Sequence, residues 1–210
     1  MKVLLVNGSP HEAGCIFTAL GEIAAELKKN GVDSEIFQLG TGAVHGCVAC
    51  RSCFKRDDGH CVFDDDPVNA AADKLKQADA LIVGTPVYFS GIAGQVKSFM
   101  DRLFYAAENS TLRGKPAAAI VSCRRGGASS TFDQLNHYFT IRQMPVVPSQ
   151  YWNSVHGNTP DEVRQDLEGL QVMRTLAKNM AWMLKCFEAG RNAGIGLPEQ
   201  EPRVNTNFIR

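Results

Sequence analysis

Apolar positions along the chain alternate between two rhythms, short unbroken runs and helical repeats. Residues 3–6 form an apolar run that ends near Gly8. Helical spacing follows over 15–29, carried by Leu20, Ile23, Ala24 and Leu27, and Gly31 stops it as a glycine past a C-terminus does. "SEIFQL" (34–39) reads as a second strand. Residues 66–77 predict a helix with Val68, Ala71, Ala72 and Leu75 on one face. "ADALIVGTP" (78–86) is an uninterrupted apolar strand of the kind buried on both faces of a parallel sheet. A helix over 92–107, a strand in "KPAAAIVSC" (115–123) and a helix over 129–139 come next. A weak fifth strand in "MPVVPS" (144–149) and one long helix over 160–189 complete the pattern.

Strands that alternate with helices predict an α/β fold, with a parallel sheet covered on both faces. Five such units suit a flavodoxin-like three-layer sandwich with strand order 2-1-3-4-5. Its ligand would lie beyond the C-terminal ends of the strands. Residues 1–189 read as one domain. The remainder, 190–210, is rich in glycine and proline, and its Leu197, Val204, Phe208 and Ile209 predict packing on the domain or on a neighbouring subunit.

Charge removes some function classes. Lys+Arg and Asp+Glu balance at 22 each, so no basic footprint for nucleic acid is present. No apolar run reaches membrane-span length. "MKVLLVNGSP" lacks the longer apolar region and cleavage site of a signal peptide. The expectation is a cytoplasmic protein without nucleic-acid or membrane partners. Thiols stay reduced in that compartment, so seven cysteines point to chemistry or metal rather than disulfides.

Three loops after predicted strands carry candidate chemistry. "NGSPHEAGCIFTAL" (7–20) leads a strand through Gly-Ser-Pro into a helix whose first N–H groups suit a phosphate. It is neither a dinucleotide fingerprint nor a Walker loop, and a plain strand-to-helix turn reads the same way. "GTPVYFSGIAGQVKSFMDRL" (84–103) puts two aromatics at a strand tip, where a flat ring could lie or where they simply cap the core. Lys97 and Asp101 follow at pairing distance on a helix. "SCRRGGAS" (122–129) sets two arginines beside two glycines, as an anion-binding loop or a solvated turn would. The five histidines have no nucleophile or carboxylate at a diagnostic spacing, so no catalytic residue is assigned.

Four cysteines crowd into "GCVACRSCFKRDDGHC" (46–61). Cys47, Cys50 and Cys53 show the C-x2-C-x2-C spacing with which ferredoxins hold a [4Fe–4S] cluster, and Cys61 is a candidate fourth ligand. Structural zinc prefers two separated C-x2-C knuckles, and Cys61 has no partner knuckle. A loop of free thiols fits the spacing as well as a cluster does. Cys186 reads as a core helix position.

Together these loops resemble the flavodoxin-like NAD(P)H-dependent FMN reductases, and within them the iron–sulfur flavoproteins. "GSPHEAGCI" stands for the family's phosphate loop. "TPVYF" with "GQVKSFMDR" matches its ring loop and following helix, "RRGGAS" its loop after strand four, and the cysteine stretch with "CVFDDD" sits where the iron–sulfur members carry theirs. The resemblance covers 1–139. It implies noncovalent FMN, with the phosphate on Ser9, His11, Gly14, Cys15, Ile16 and Phe17. The isoalloxazine would lie against Thr85, Pro86, Val87, Tyr88 and Phe89 and against Cys123, Arg124, Arg125 and Gly126. His11, Cys15 and Ile16 replace the family's Arg, Asn and Thr, so backbone N–H groups, with Thr18 nearby, must carry more of the phosphate. It also implies NAD(P)H as co-substrate (or ferredoxin as donor if a cluster is present), a quinone, flavin or other small acceptor, a homodimer or homotetramer, and a [4Fe–4S] cluster on Cys47, Cys50, Cys53 and Cys61. Arg102, Arg124 and Arg125 are candidates to meet a nucleotide 2′-phosphate. The alternative reading is a non-enzymatic electron carrier, although flavodoxins tend to be shorter and strongly acidic.

Overall fold

A computed structural model of the chain describes residues 1–56, 58–206 and 208. In chain order it contains β1 (Lys2–Asn7), α1 (Cys15–Lys29), β2 (Asp33–Gln38), α2 (Ser52–Arg56), α3 (Val68–Gln77), β3 (Ala80–Tyr88), β4 (Gly91–Ile92) and α4 (Gly94–Ala106). Then follow α5 (Asn109–Leu112), β5 (Ala117–Cys123), α6 (Ala128–Ile141), β6 (Ser154–His156), α7 (Pro160–Gln165) and α8 (Leu167–Asn192). The parallel strands run β2-β1-β3-β5-β6, and the short β4 folds back antiparallel on the end of β3. This is the flavodoxin-like α/β sandwich, with the 2-1-3-4-5 order.

Alternation along the central strands builds two cores. Leu4 and Val6 of β1, Leu81 and Val83 of β3, and Ala117 and Ala119 of β5 face α3, α4 and α6. Val3 and Leu5, Ala80 and Ile82, and Ala118 and Ile120 face α1, α7 and α8. Because both faces are covered, every residue of β5 is buried, as its unbroken apolar sequence predicts. Alanines there let helices close on both sides.

Three expectations need correction. The fifth strand is Ser154–His156, not 144–149. Residues 145–147 do lie along the start of β5, where Ala117 N donates to Pro145 O and Val147 N donates to Ala117 O, but only Ala117 and Val146 form a bridge. Pro145 and Pro148 lack the N–H groups that a ladder needs, so the strand resumes only after them. The long last helix is two helices, broken at Asp166. That carboxylate accepts from Gly169 N at 2.9 Å, capping α8, and from His156 N at 2.7 Å, tying the break to β6. Cys186 is exposed rather than core, since the buried stripe of α8 runs through Leu176, Ala177, Met180, Ala181 and Leu184 and leaves it on the outer face.

The tail packs in part. Leu197 sits against Gly114, Arg113 donates to Pro198 O, and Gln200 meets Asn109 and Gln143. Val204 and Phe208 are exposed, and Ile209 lies outside the described residues. Among the described residues no helix is long and apolar enough to cross a membrane.

Candidate functional site

The loops after β1, β3 and β5 meet at one end of the sheet because the strands bring them there in parallel. Contact between the first two is backbone on backbone: Gly8 N donates to Gly84 O at 2.9 Å. A Cβ on Gly8 would stand 2.6 Å from that oxygen and 2.5 Å from Val96, and one on Gly84 would stand 2.6 Å from Ile16. Both positions therefore exclude side chains.

The loop from Asn7 to Gly14 is set by side chains that face inward. Asn7, fully buried, accepts from Ser9 N at 3.1 Å, and its amide donates to Glu12 O at 3.3 Å and to Gln38. Gln38 in turn donates to Ser9 O at 2.7 Å. Ser9 Oγ accepts from His11 N at 3.1 Å, which leaves its hydroxyl proton free to donate. At the N-terminus of α1, Gly14 supplies no side-chain cap and the first turn holds no acidic residue. Such an end is a place for an anion, where unpaired N–H groups and the helix dipole act together.

The substituted positions behave differently from one another. Ile16 is buried against Gly84, so only its backbone faces the loop. Cys15 Sγ lies 3.8 Å from Gly157 O, and the His11 side chain is exposed. Thr18 turns its hydroxyl back to Gly14 O at 3.1 Å and is no substitute donor. Phe17 is part-exposed on the outer side of the first turn.

At the second loop, Thr85 is buried and accepts from Ala93 N at 3.3 Å, while Pro86 and Val87 are half-buried. Tyr88 and Phe89 project from the β3–β4 hairpin, and Phe89 is fully exposed. Phe89 and Ser90 hold φ of 50° and 59°, a left-handed conformation uncommon for residues with side chains and a marker of stored strain. The third loop closes against this hairpin. Ser130 donates to Ser90 O at 2.7 Å, and Gly127, at φ 88°, lies where a Cβ would meet Ser90 Cα at 2.8 Å. Cys123 is buried, whereas Arg124, Arg125 and Gly126 are exposed. Burial raises the Cys123 thiol pKa. A fourth segment, unforeseen in the sequence, joins them: Gly157 N donates to Cys123 O at 3.2 Å, so the turn after β6 borders both Cys15 and the third loop.

The cysteine stretch leaves the sheet after β2. Gln95, at the start of α4, donates to Gly40 O at 3.0 Å and Gly42 O at 2.8 Å and so ties its entry to the ring-loop helix. Cys47, Cys50, Cys53 and Cys61 line one small cavity of about 20 Å³, together with Phe63, Arg102 and Tyr105. Ala49 and Arg51, between the first three cysteines, hold φ of 54° and 59°. These left-handed residues bend the backbone on either side of Cys50. Hydrogen bonds from Ser52 lower the Cys50 pKa, and burial raises that of Cys53.

Two residues that sequence reasoning missed hold Cys61. Asn69 of α3 accepts from Cys61 N at 2.8 Å and donates to Cys61 O at 3.0 Å. Arg102 of α4 donates from Nε to Cys61 Sγ at 3.2 Å. Arg102 is therefore committed to the cysteine side and buried, and it is withdrawn as a contact for a 2′-phosphate. Its place on the helix over 92–107 is legible in sequence, but its target, forty-one residues back in the chain, is not.

Among the described residues, no three His, Cys, Asp or Glu side chains stand close enough to share a single metal ion. A [4Fe–4S] cluster asks for a different arrangement, with each thiolate on a different iron and the sulfurs held apart around a larger body. The four cysteines that line the cavity are the donor type and number that such a cluster takes.

Fold and loops define a flavodoxin-like protein with an anion-ready first loop. The family model of the NADPH-dependent FMN reductases matches residues 1–159, and the chain belongs to that family. An iron–sulfur flavoprotein of Methanocaldococcus jannaschii is 32% identical over 195 residues, covering 90% of this chain and all of the relative. An iron–sulfur flavoprotein of Methanosarcina thermophila is 28% identical over 195 residues, with 91% and 100% covered. A solved archaeal flavodoxin superposes with TM-score 0.57 at 17% identity, over 88% of this chain and 99% of that one.

Proposed function

We propose that the protein binds FMN at the loops after β1, β3 and β5 and works as an oxidoreductase. Electrons would pass from NAD(P)H or ferredoxin to a small acceptor such as a quinone or flavin. The observation that carries this reading is the uncapped, acid-free N-terminus of α1 behind the Gly8–Gly84 contact. A phosphate there would meet N–H groups of 15–17 and the Ser9 hydroxyl. The ring would lie between the Tyr88–Phe89 hairpin and the Cys123–Gly126 loop. When bound, FMN supplies hydride and single-electron chemistry. The protein's part is to orient the ring, donate hydrogen bonds and leave one face open, and no side chain needs to act as acid or base. Arg124 and Arg125, which are exposed, would meet an anionic co-substrate.

Family membership supports FMN and the oxidoreductase class, and a quinone-type NAD(P)H dehydrogenase of Chromohalobacter salexigens is 30% identical over 122 residues, covering 54% of this chain and 58% of that protein. The names of the archaeal relatives support an iron–sulfur centre, and Cys47, Cys50, Cys53 and Cys61, with their ferredoxin-like spacing and common cavity, would hold it as a [4Fe–4S] cluster. A cytoplasmic homodimer or homotetramer completes the proposal.

The test is an absorption spectrum with iron and sulfide analysis on protein purified without oxygen, followed by steady-state assays with NADH or NADPH and a quinone. Flavin bands, broad visible absorption and about four irons per chain are expected. Colourless protein that takes up no FMN would overturn the flavin reading. Bound flavin that reduces without turnover would move the protein to the carrier class.

A further inference from the structure

Arg102 is among the largest fully buried side chains of the protein. A buried guanidinium is costly unless every donor is used and the charge is met. Here all three nitrogens are bonded, four of the five N–H donors are used, and Asp66 meets the charge. Nε donates to Cys61 Sγ at 3.2 Å, one terminal nitrogen donates to the equally buried Asp66 and to His45 O at 3.4 Å, and the other donates to Phe63 O at 2.8 Å. Its Cζ lies 5.3 Å from the centroid of the Phe63 ring, which stacks on His45 at 4.7 Å. Burial disfavours the Arg102 charge, but the hydrogen bonds to Asp66 and Cys61 more than restore it.

An ion pair that only pinned the loop would need Asp66 and the two carbonyls. The third arm, aimed at a sulfur on the cavity wall, has no such purpose. A lysine could not make these bonds at once, because they need a planar fork. The helix that carries Arg102 also begins directly after the β3–β4 hairpin, so one rigid element spans the ring loop and Cys61.

We infer that Arg102 is a positioning residue for the cysteine cavity: it fixes the Cys61 sulfur as a cluster ligand and places a permanent positive charge beside it. The inference rests on the cluster reading above. Hydrogen bonds to sulfur and nearby charge set both the retention and the potential of such centres. A positive charge favours the reduced, more negative state, so its removal shifts the midpoint potential downward.

The experiment compares wild type, Arg102→Lys and Arg102→Met, each purified and reconstituted with iron and sulfide under anaerobic conditions. Iron per chain, the rate of iron loss to a chelator and the midpoint potential are measured, with FMN content and circular dichroism reporting the fold. Wild type is expected to hold about four irons. Arg102→Met should lose iron about tenfold faster or more, and titrate at a more negative potential. Arg102→Lys should recover the potential while still losing iron faster than wild type. Should Arg102→Met not fold, Asp66→Asn, which loosens the guanidinium but leaves its charge, should speed iron loss, and an unchanged rate would overturn the inference. If wild type takes up no iron, the cluster reading falls and this inference with it. If wild type holds the cluster and Arg102→Met matches it in loss rate and potential, only the inference falls.

Discussion

The loops at the strand ends and the cysteine excursion are held together by different means. In the first region backbone meets backbone, at Gly8 and Gly84 and again at Gly127 and Ser90, over strands that are buried on both faces. In the second, an exposed segment with little core of its own is clamped by two side chains, Asn69 and Arg102, from helices that belong to the main domain. Close backbone contact there adds to the hydrogen bonds of neutral buried side chains, Asn7, Ser9 and Thr85, and buries no charge. The clamp concentrates the hold on a few buried hydrogen bonds, and so on a few residues. Both regions nonetheless keep left-handed residues with side chains, Phe89 and Ser90 in one and Ala49 and Arg51 in the other. Such strain persists only where surrounding contacts impose it.

That contrast makes Asp66→Ala the most damaging single change. It leaves the Arg102 charge buried and unpaired, a loss of about 3–5 kcal/mol. Urea unfolding followed by circular dichroism should show it, and limited proteolysis should cut first within 44–66. Resistance equal to wild type would mean that the excursion does not depend on the clamp. Gly8→Ala tests the other region. Its Cβ must push on the Gly84 carbonyl, an overpacking cost of about 1–3 kcal/mol. Weaker FMN retention on gel filtration should accompany it, with iron content unaltered.

Phe89→Gly probes whether strain at the hairpin is kept for a purpose. Relief of one left-handed residue should stabilise the protein by about 1 kcal/mol in thermal melts. FMN affinity should fall several-fold if the exposed ring covers the flavin, and unchanged affinity would remove Phe89 from the site. The smallest effect concerns the far side of α4. There Tyr138 meets both Asp101 and Lys97, and burial, with the Asp101 hydrogen bond next, pushes its pKa up to about 12. Because the folded value lies above the ordinary one near 10, the network's contribution is complete below about pH 10 and is lost as pH rises through about 12. A late phenolate step in an ultraviolet titration should therefore disappear in Tyr138→Phe. Persistence of that step would assign it to another tyrosine.

Much of this architecture can be read directly from the chain. The alternation of apolar runs and helical repeats places β1, α1, β2, β3 and β5, and α1 matches over Cys15–Lys29, because burial on two faces leaves a plain signature. The strand-end loops are legible for a related reason: glycine marks sites where nothing larger fits. Sequence places the fifth strand too early because Val146 and Val147 look like strand residues, while the neighbouring prolines cannot join a ladder. The last helix looks continuous in sequence because Asp166 fits helical spacing, and only its bonds to His156 and Gly169 turn it into a break.

The four cysteines show the same division most sharply. Their spacing already named the possible chemistries, since spacing is a local property that the backbone converts into direction. Which residues grip Cys61 was not local: Asn69 is eight positions away and Arg102 forty-one, on two different helices. A side chain's partner depends on which helices the sheet order makes neighbours, and that neighbourhood exists only once the chain has folded.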